Sequence, residues 1–140
     1  MKLNMRSQIG IFIILLCPML ATAQLAVTVT PPKVVGQKAI VQLKMKNQLA
    51  AKVESARAVC FLADEQGKVV GHATQWVIGG TKDRPALETG KETAFNFVVS
   101  FDKFITTTNL TAKVTFSRLV LEGGKLADAS KAVSVKSAAK

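Results

Sequence analysis

Hydrophobic and polar residues alternate along most of the chain, starting near residue 25. Alternation with a period of two is typical of strands that bury one face and expose the other. The clearest case is residues 38–47, where every second position is apolar and the others are mainly lysine or glutamine. The apolar positions of one parity are Ala39, Val41, Leu43 and Met45. This segment is therefore predicted to be a strand with a basic outer face.

Further segments with strand character recur at intervals of roughly ten residues. They are residues 25–30, 57–63, 68–78, 95–101 and 110–121, and a last strand in which Val133 and Val135 share a face. Pro31 and Pro32 lack the donor that a ladder needs, so residues 25–30 are expected to form an edge strand. No segment predicts a helix. About six or seven strands indicate an all-β fold, an antiparallel immunoglobulin-like β-sandwich.

Turn residues separate the predicted strands. Residues 64–67 have the composition of a hairpin turn, because Asp64 can accept local hydrogen bonds and Gly67 can adopt a positive φ. The apolar parity of residues 110–121 changes near Arg118, which indicates a bulge or a change of face. Residues 79–91 are rich in glycine and charged residues and form the longest irregular segment.

The first 23 residues have the organisation of a secretory signal peptide. Lys2 and Arg6 precede an apolar stretch at residues 9–20, and small residues stand at Ala21 and Ala23. The stretch is shorter than the roughly twenty residues of a membrane-spanning helix, so cleavage after Ala23 is expected, with an uncleaved anchor as the alternative. The predicted organisation is a signal peptide (1–23), a sandwich (24–135) and a flexible tail (136–140) in a periplasmic or secreted protein.

Several landmarks follow one another in a recognisable order. They are Asn47, Leu62, Asp64, Gly67, Leu87, Gly90 and Phe95. Their order over about residues 39–101 resembles that of the bacterial immunoglobulin-like FxLYD-type domains. The sequence departs from that pattern at Cys60, Ala63 and Thr89. The resemblance implies an extracytoplasmic binding or structural module, and it brings no catalytic residues with it.

The composition limits the available chemistry. The 140 residues include 19 Lys and Arg against 9 Asp and Glu, which gives a net charge of +10, but they include only two cysteines and one histidine. Cys17 belongs to the predicted signal peptide, so Cys60 is left without an intrachain disulfide partner. Its apolar neighbours favour a buried small hydrophobe over a reactive thiol.

Candidate catalytic groups are few. Metal sites usually combine several His or Cys ligands, whereas His72 is the one histidine in the sequence. Glu88 and Glu92 lack the contrasting environments that separate an acid from a base. We therefore predict no catalytic residues, no metal site and no cofactor. A small extracytoplasmic hydrolase that uses His72 with a carboxylate is the enzyme alternative.

Positive charge is the global property closest to function. Lys38, Lys44 and Lys46 share a strand face, and a longer basic stripe is expected if neighbouring strands add Arg57, Lys113 and Arg118. Such a stripe would attract anionic polymers or lipid headgroups. Nucleic acid is disfavoured because no aromatic residues alternate with the charges. The alternative is that these lysines only keep the protein soluble and protect sheet edges.

The candidate recognition site is the loop at residues 79–91 with the tryptophan before it. Trp76, Lys82 and Arg84 combine an aromatic ring with positive charge, although Trp76 could instead be a core residue. With Lys44 and Lys46, these are the predicted binding residues. The expected function is that of an exported, non-catalytic binding or structural module, acting through an edge strand or loop on a protein or envelope polymer. Membrane contact is expected only through the signal peptide or peripheral charge.

Overall fold

The computed structural model describes residues 23–138 of the protein. Apart from Ala23, the predicted signal peptide lies outside the described residues. The described chain forms nine strands and one short helix. In chain order they are β1 (Leu25–Val29), β2 (Lys33–Val35), β3 (Lys38–Asn47), β4 (Val53–Ala63), β5 (Val69–Ile78), β6 (Glu92–Ser100), β7 (Thr111–Leu121), β8 (Lys125–Ala127), α1 (Ala129–Ala132) and β9 (Val133–Ser137).

A five-stranded sheet is built around β3. This strand pairs antiparallel with β6 along one side, and with β1 and then β2 along the other. Strand β9 lies parallel to β1, with Val27 opposite Val135. The prediction that β1 is an edge strand is therefore wrong, because β1 lies between β3 and β9. The prolines after it end the strand without exposing its edge.

The second sheet has four strands in the order β5-β4-β7-β8, all antiparallel. Strand β4 is central, because it pairs with β5 on one side and with β7 on the other. Its register with β7 shifts between Arg57, opposite Arg118, and Ala58, opposite Phe116. Ser117 is the extra residue, so the predicted bulge is confirmed. The Ser117 hydroxyl donates a hydrogen bond of 3.3 Å to the Arg57 carbonyl oxygen at this point.

The two sheets bury one continuous hydrophobic core between them. The apolar face of β3 lies in this core as predicted, and the inward residues of β4 face it. The inward residues of β4 are Ala56, Ala58, Cys60 and Leu62, all fully buried. Phe97 and Val99 on β6 are also fully buried, whereas Phe95 is only half-buried. The all-β sandwich predicted from the alternation is confirmed.

The predicted hairpin turn between β4 and β5 is confirmed in detail. The Asp64 carboxylate accepts hydrogen bonds of 2.9 Å from the backbone amides of Gln66 and Lys68. Gly67 has a φ of 82°, a conformation that side chains with a Cβ rarely adopt. A short acceptor followed by glycine therefore sets this turn locally.

The structure differs from the sequence prediction in the short elements and at the end of the chain. Strands β2 and β8 have three residues each, too few to show an alternation, which is why nine strands stand where six or seven were predicted. The helix α1 was also missed; Asp128 caps it by accepting a hydrogen bond from the Ser130 amide. The last strand runs to Ser137, beyond the predicted boundary at 135, and Val135 is 39% exposed.

Candidate functional site

The loop between β5 and β6 is attached to the sandwich at its second half. Leu87 forms a two-way backbone bridge with Val53, with both N–H···O distances at 2.9 Å. The Gly90 amide donates to the Asn47 carbonyl oxygen at 2.7 Å, and the Asn47 amide donates to the Lys91 carbonyl oxygen at 3.0 Å. This half of the predicted irregular segment therefore has a defined position on the sheets.

Asn47 organises this attachment from inside the protein. It is fully buried at the end of β3. Its side-chain Nδ2 donates to the carbonyl oxygens of Leu87 at 2.9 Å and Ala51 at 3.0 Å, and its Oδ1 accepts from the Leu49 amide at 2.9 Å. One amide side chain thus hydrogen-bonds three backbone groups, of which the Leu87 carbonyl oxygen also accepts from the Val53 amide.

A cleft of about 400 Å³ opens between this loop and the adjoining strand β6. Its lining residues come from the end of β5, the second half of the loop and the beginning of β6. They are Val77, Arg84, Pro85, Ala86, Leu87, Glu88, Lys91, Glu92, Thr93, Ala94 and Phe95. Among the described strands β6 pairs with β3 alone, and residues 92–95 at its beginning line the cleft. We call this site the loop–edge cleft.

Arg84 spans the two sheets at the cleft. Its Nη1 donates a hydrogen bond to the Trp76 carbonyl oxygen on β5. Its Cζ lies 4.6 Å from the centroid of the Phe95 ring on β6, within the range of a cation–π contact. The guanidinium is therefore held by one contact to each sheet. Lys82, by contrast, lies exposed in the first half of the loop.

Trp76 lies on the outer face of the four-stranded sheet. It is half-buried and stands opposite the exposed Arg57, whose Cζ is 5.8 Å from its ring centroid. Gly80 packs against the ring, because a Cβ at that position would come within 2.5 Å of Trp76 Cγ. The interpretation of Trp76 as a core residue is therefore wrong. Its ring contacts Arg57, while its carbonyl group contacts Arg84.

The predicted basic stripe is divided between the two sheets. Lys38, Lys44 and Lys46 point outward from β3 in the five-stranded sheet, where Lys46 faces Glu92 on β6. The other three cations, Arg57, Lys113 and Arg118, belong to β4 and β7 in the opposite sheet. The prediction of a continuous basic stripe is therefore wrong, because the two groups of cations lie on opposite outer faces of the sandwich.

The remaining candidates for chemistry lie apart from one another. His72 is exposed on β5, with its ring centroid 6.1 Å from that of Phe61, and it does not line the cleft that Glu88 and Glu92 line. Cys60 is buried in the core, and this burial raises the pKa of its thiol to about 11. Within residues 23–138, no group of three or more His, Cys, Asp or Glu residues could hold a metal ion.

Comparisons with known proteins give little further information. No protein-family model matches the chain, and no curated protein matches it. Among solved structures, the chain is similar to part of a beta-glucuronidase from glycoside hydrolase family 2. The sequence identity is 18% and the TM-score 0.39, over 73% of this chain and 10% of that one. A likeness this weak carries no information about function. In the described part of the chain, no helix has both the length and the apolar character needed to cross a membrane.

Sequence reasoning missed three features of these surfaces. The contact of the half-buried Phe95 ring with the Arg84 guanidinium was not predicted. The contact between Arg57 and Trp76 and the opposition of Arg57 to Arg118 depend on strand pairing. A local signal existed only for Phe95, which lies at the beginning of its strand beside a charged loop.

Proposed function

We propose that this protein is an exported, non-catalytic binding module of the cell envelope or extracellular space, which holds an extended protein segment in the loop–edge cleft. The observation that carries the proposal is the position of the cleft beside the edge of β6 that pairs with no described strand. A sheet edge presents backbone donors and acceptors, to which an extended segment can add as a further strand.

The contacts around the cleft support recognition rather than catalysis. Arg84 is held by Trp76 and Phe95, and the Asn47 bonds fix the second half of the loop. Little conformational entropy then has to be lost when a partner binds, because the site is already ordered. The cleft is lined by the cations Arg84 and Lys91 and by the acidic Glu88 and Glu92, which provide charged groups of both signs for orienting a partner.

A charge reversal at the cleft tests this function. Lys91→Glu is expected to weaken partner retention about tenfold, because the exposed Lys91 ammonium at the cleft would become a carboxylate. Proteins that co-purify with the native chain from the envelope fraction would be identified, and the retention of each by the variant measured at low and moderate salt. Lys103→Glu, at an exposed position away from the cleft, is the matched control.

Two outcomes would contradict the proposal. Equal retention by both variants at both salt concentrations would remove the cleft as the binding site. Hydrolytic activity that His72→Ala abolishes would instead favour the enzyme alternative, whereas a module that binds through the cleft should keep its cleft partners, because His72 does not line the cleft.

Export has its own test in the native N-terminus. We expect the mature protein to begin at Gln24, because cleavage after Ala23 would leave β1, which starts at Leu25, complete. Intact-mass measurement of the protein recovered from its natural source would show this end. A native protein that retains residues 1–23 would contradict cleavage and favour the uncleaved anchor.

A further inference from the structure

The outer face of the four-stranded sheet carries a group of cations that the loop–edge cleft does not use. The fully buried residues of β4 alternate with residues that point away from the core. Of these outward residues, Arg57 faces Arg118 on β7, and Phe61 lies between His72 on β5 and Lys113 on β7. We call these five residues the outer basic face.

The two arginines stand directly opposite each other and are both exposed. Like charges in opposed positions of neighbouring strands destabilise a sheet. Within the described strands of this sheet Glu54 is the single acidic residue, and its carboxylate accepts a hydrogen bond from the Gly123 amide at the β7–β8 turn. The arginine pair therefore lacks an acidic neighbour across these strands, and an external anion would remove the repulsion.

Trp76 prepares one of these arginines for binding. Its ring lies beside the Arg57 guanidinium at 5.8 Å, and Gly80 packs against the same ring. A guanidinium placed against an aromatic ring keeps its N–H groups available at its edges. The ring thus orients the guanidinium of Arg57 and leaves its N–H groups available to donate hydrogen bonds to a ligand.

The dimensions of the face fit a single linear chain. Three strands span about 10 Å, and the distance from Arg57 to Phe61 along β4 is about 13 Å. The half-buried Val59 and Phe61 form an apolar centre, beside which the exposed hydroxyl residues Thr74 and Thr115 stand opposite Val59. A stable interface with a globular partner buries roughly 800 Å² of surface on each side, which is more than the outer basic face offers.

The side chains of the outer basic face favour one class of linear polymer over the others. An extended peptide uses the backbone groups of a sheet edge, and these are not presented on a sheet face. Single-stranded nucleic acid needs successive aromatic platforms, whereas the ring beside Phe61 is the tilted imidazole of His72, at 55° to it, and Trp76 is already covered by Arg57 and Gly80. The rings of a sugar chain can pack on the apolar centre of the outer basic face, and its hydroxyl groups can bond to the flanking threonines. Sugar carboxylates can accept charge-assisted hydrogen bonds from the arginine pair.

We propose that the outer basic face binds a linear acidic polysaccharide, with a sugar carboxylate bridging Arg57 and Arg118 and the sugar rings lying across Phe61. Lys113 supplies a second cation along the chain. This surface is separate from the loop–edge cleft, so the two proposals can fail independently.

The test measures binding of the folded protein to polygalacturonate, with neutral dextran as the uncharged probe. Arg57→Gln combined with Arg118→Gln is expected to raise the Kd for polygalacturonate about tenfold or more, because charge-assisted hydrogen bonds are lost. Arg57→Lys combined with Arg118→Lys should produce an intermediate loss, since the charge stays but the planar fork is removed. Lys33→Gln combined with Lys136→Gln removes two exposed charges from the other sheet and should change the Kd less than twofold. Thermal melts confirm that each variant is folded.

Several results would overturn the proposal. An equal loss of affinity in the Arg57→Gln, Arg118→Gln variant and in the Lys33→Gln, Lys136→Gln variant would show general charge attraction. A loss confined to Lys44→Gln combined with Lys46→Gln would place the site on the opposite sheet. Tighter binding to an oligothymidine or to anionic phospholipid vesicles than to polygalacturonate would indicate another anion. Absence of binding to polygalacturonate would also refute it.

Discussion

Replacing Gly79 with alanine is expected to lower the free energy of unfolding by about 3–5 kcal/mol, because strain and overlap act together. Gly79 is buried and has a φ of 54°, a conformation that residues with a Cβ adopt only with strain. A Cβ there would also overlap the backbone carbonyl oxygen of Glu54. The backbone of β4 cannot move away without disturbing its ladders to β5 and β7.

Gly123→Ala is the matched control for this substitution. Gly123 has a φ of 84°, but a Cβ there would meet nothing within 4 Å. The control should therefore lower the free energy of unfolding by only about 1–2 kcal/mol, which is the strain of an alanine in the left-handed conformation. Urea unfolding of the two variants would measure the difference. Equal losses would mean that the Glu54 carbonyl group can move aside and that Gly79 is required only for its φ.

Asn47→Ala is expected to lower the free energy of unfolding by about 2–4 kcal/mol, since each buried group that loses its partner costs about 1–3 kcal/mol. The substitution removes the Asn47 partner of the Ala51 carbonyl oxygen and of the Leu49 amide, and one of the two partners of the Leu87 carbonyl oxygen. It also releases the second half of the loop that borders the cleft. Stability and partner binding should therefore fall together in this variant.

Asn96→Ala supplies the comparison, because Asn96 is exposed on β6 opposite Gln42. Its loss should change the free energy of unfolding by less than about 0.5 kcal/mol, as is usual for surface positions. Chemical denaturation gives the stability, and amide hydrogen exchange at Leu87 and Gly90 reports the loop. Unchanged exchange at these amides in Asn47→Ala would show that backbone bonds alone hold the loop.

Trp76 contacts an arginine of each of the two proposed surfaces. Its carbonyl group accepts from Arg84 beside the cleft, whereas its ring contacts Arg57 on the outer basic face. Gly80 packs against the same ring at the start of the loop. Trp76 therefore positions Arg84 through its carbonyl group and Arg57 through its ring. Each site can still be altered separately by substituting its own cations.

The sequence by itself determined the features that depend on neighbouring residues along the chain. The alternation in β3 assigned Ala39 and Val41 to the core, since successive side chains of a strand point to opposite faces. The turn at Asp64 and Gly67 follows from local hydrogen bonding and a positive φ. The bulge before Arg118 was visible as a change of apolar parity.

Only the tertiary structure decided which strands become neighbours. The parallel pairing of β1 with β9 joins segments from opposite ends of the described chain, and no local pattern encodes such a partner. The pairing of β4 with β7 placed Arg57 opposite Arg118, and the division of the strands into two sheets separated both arginines from the lysines of β3. The packing of the two sheets brought the Trp76 carbonyl group of one sheet and the Phe95 ring of the other into contact with Arg84. Alternation determines which face of a strand is buried, but the pairing of the strands determines which exposed residues form a surface.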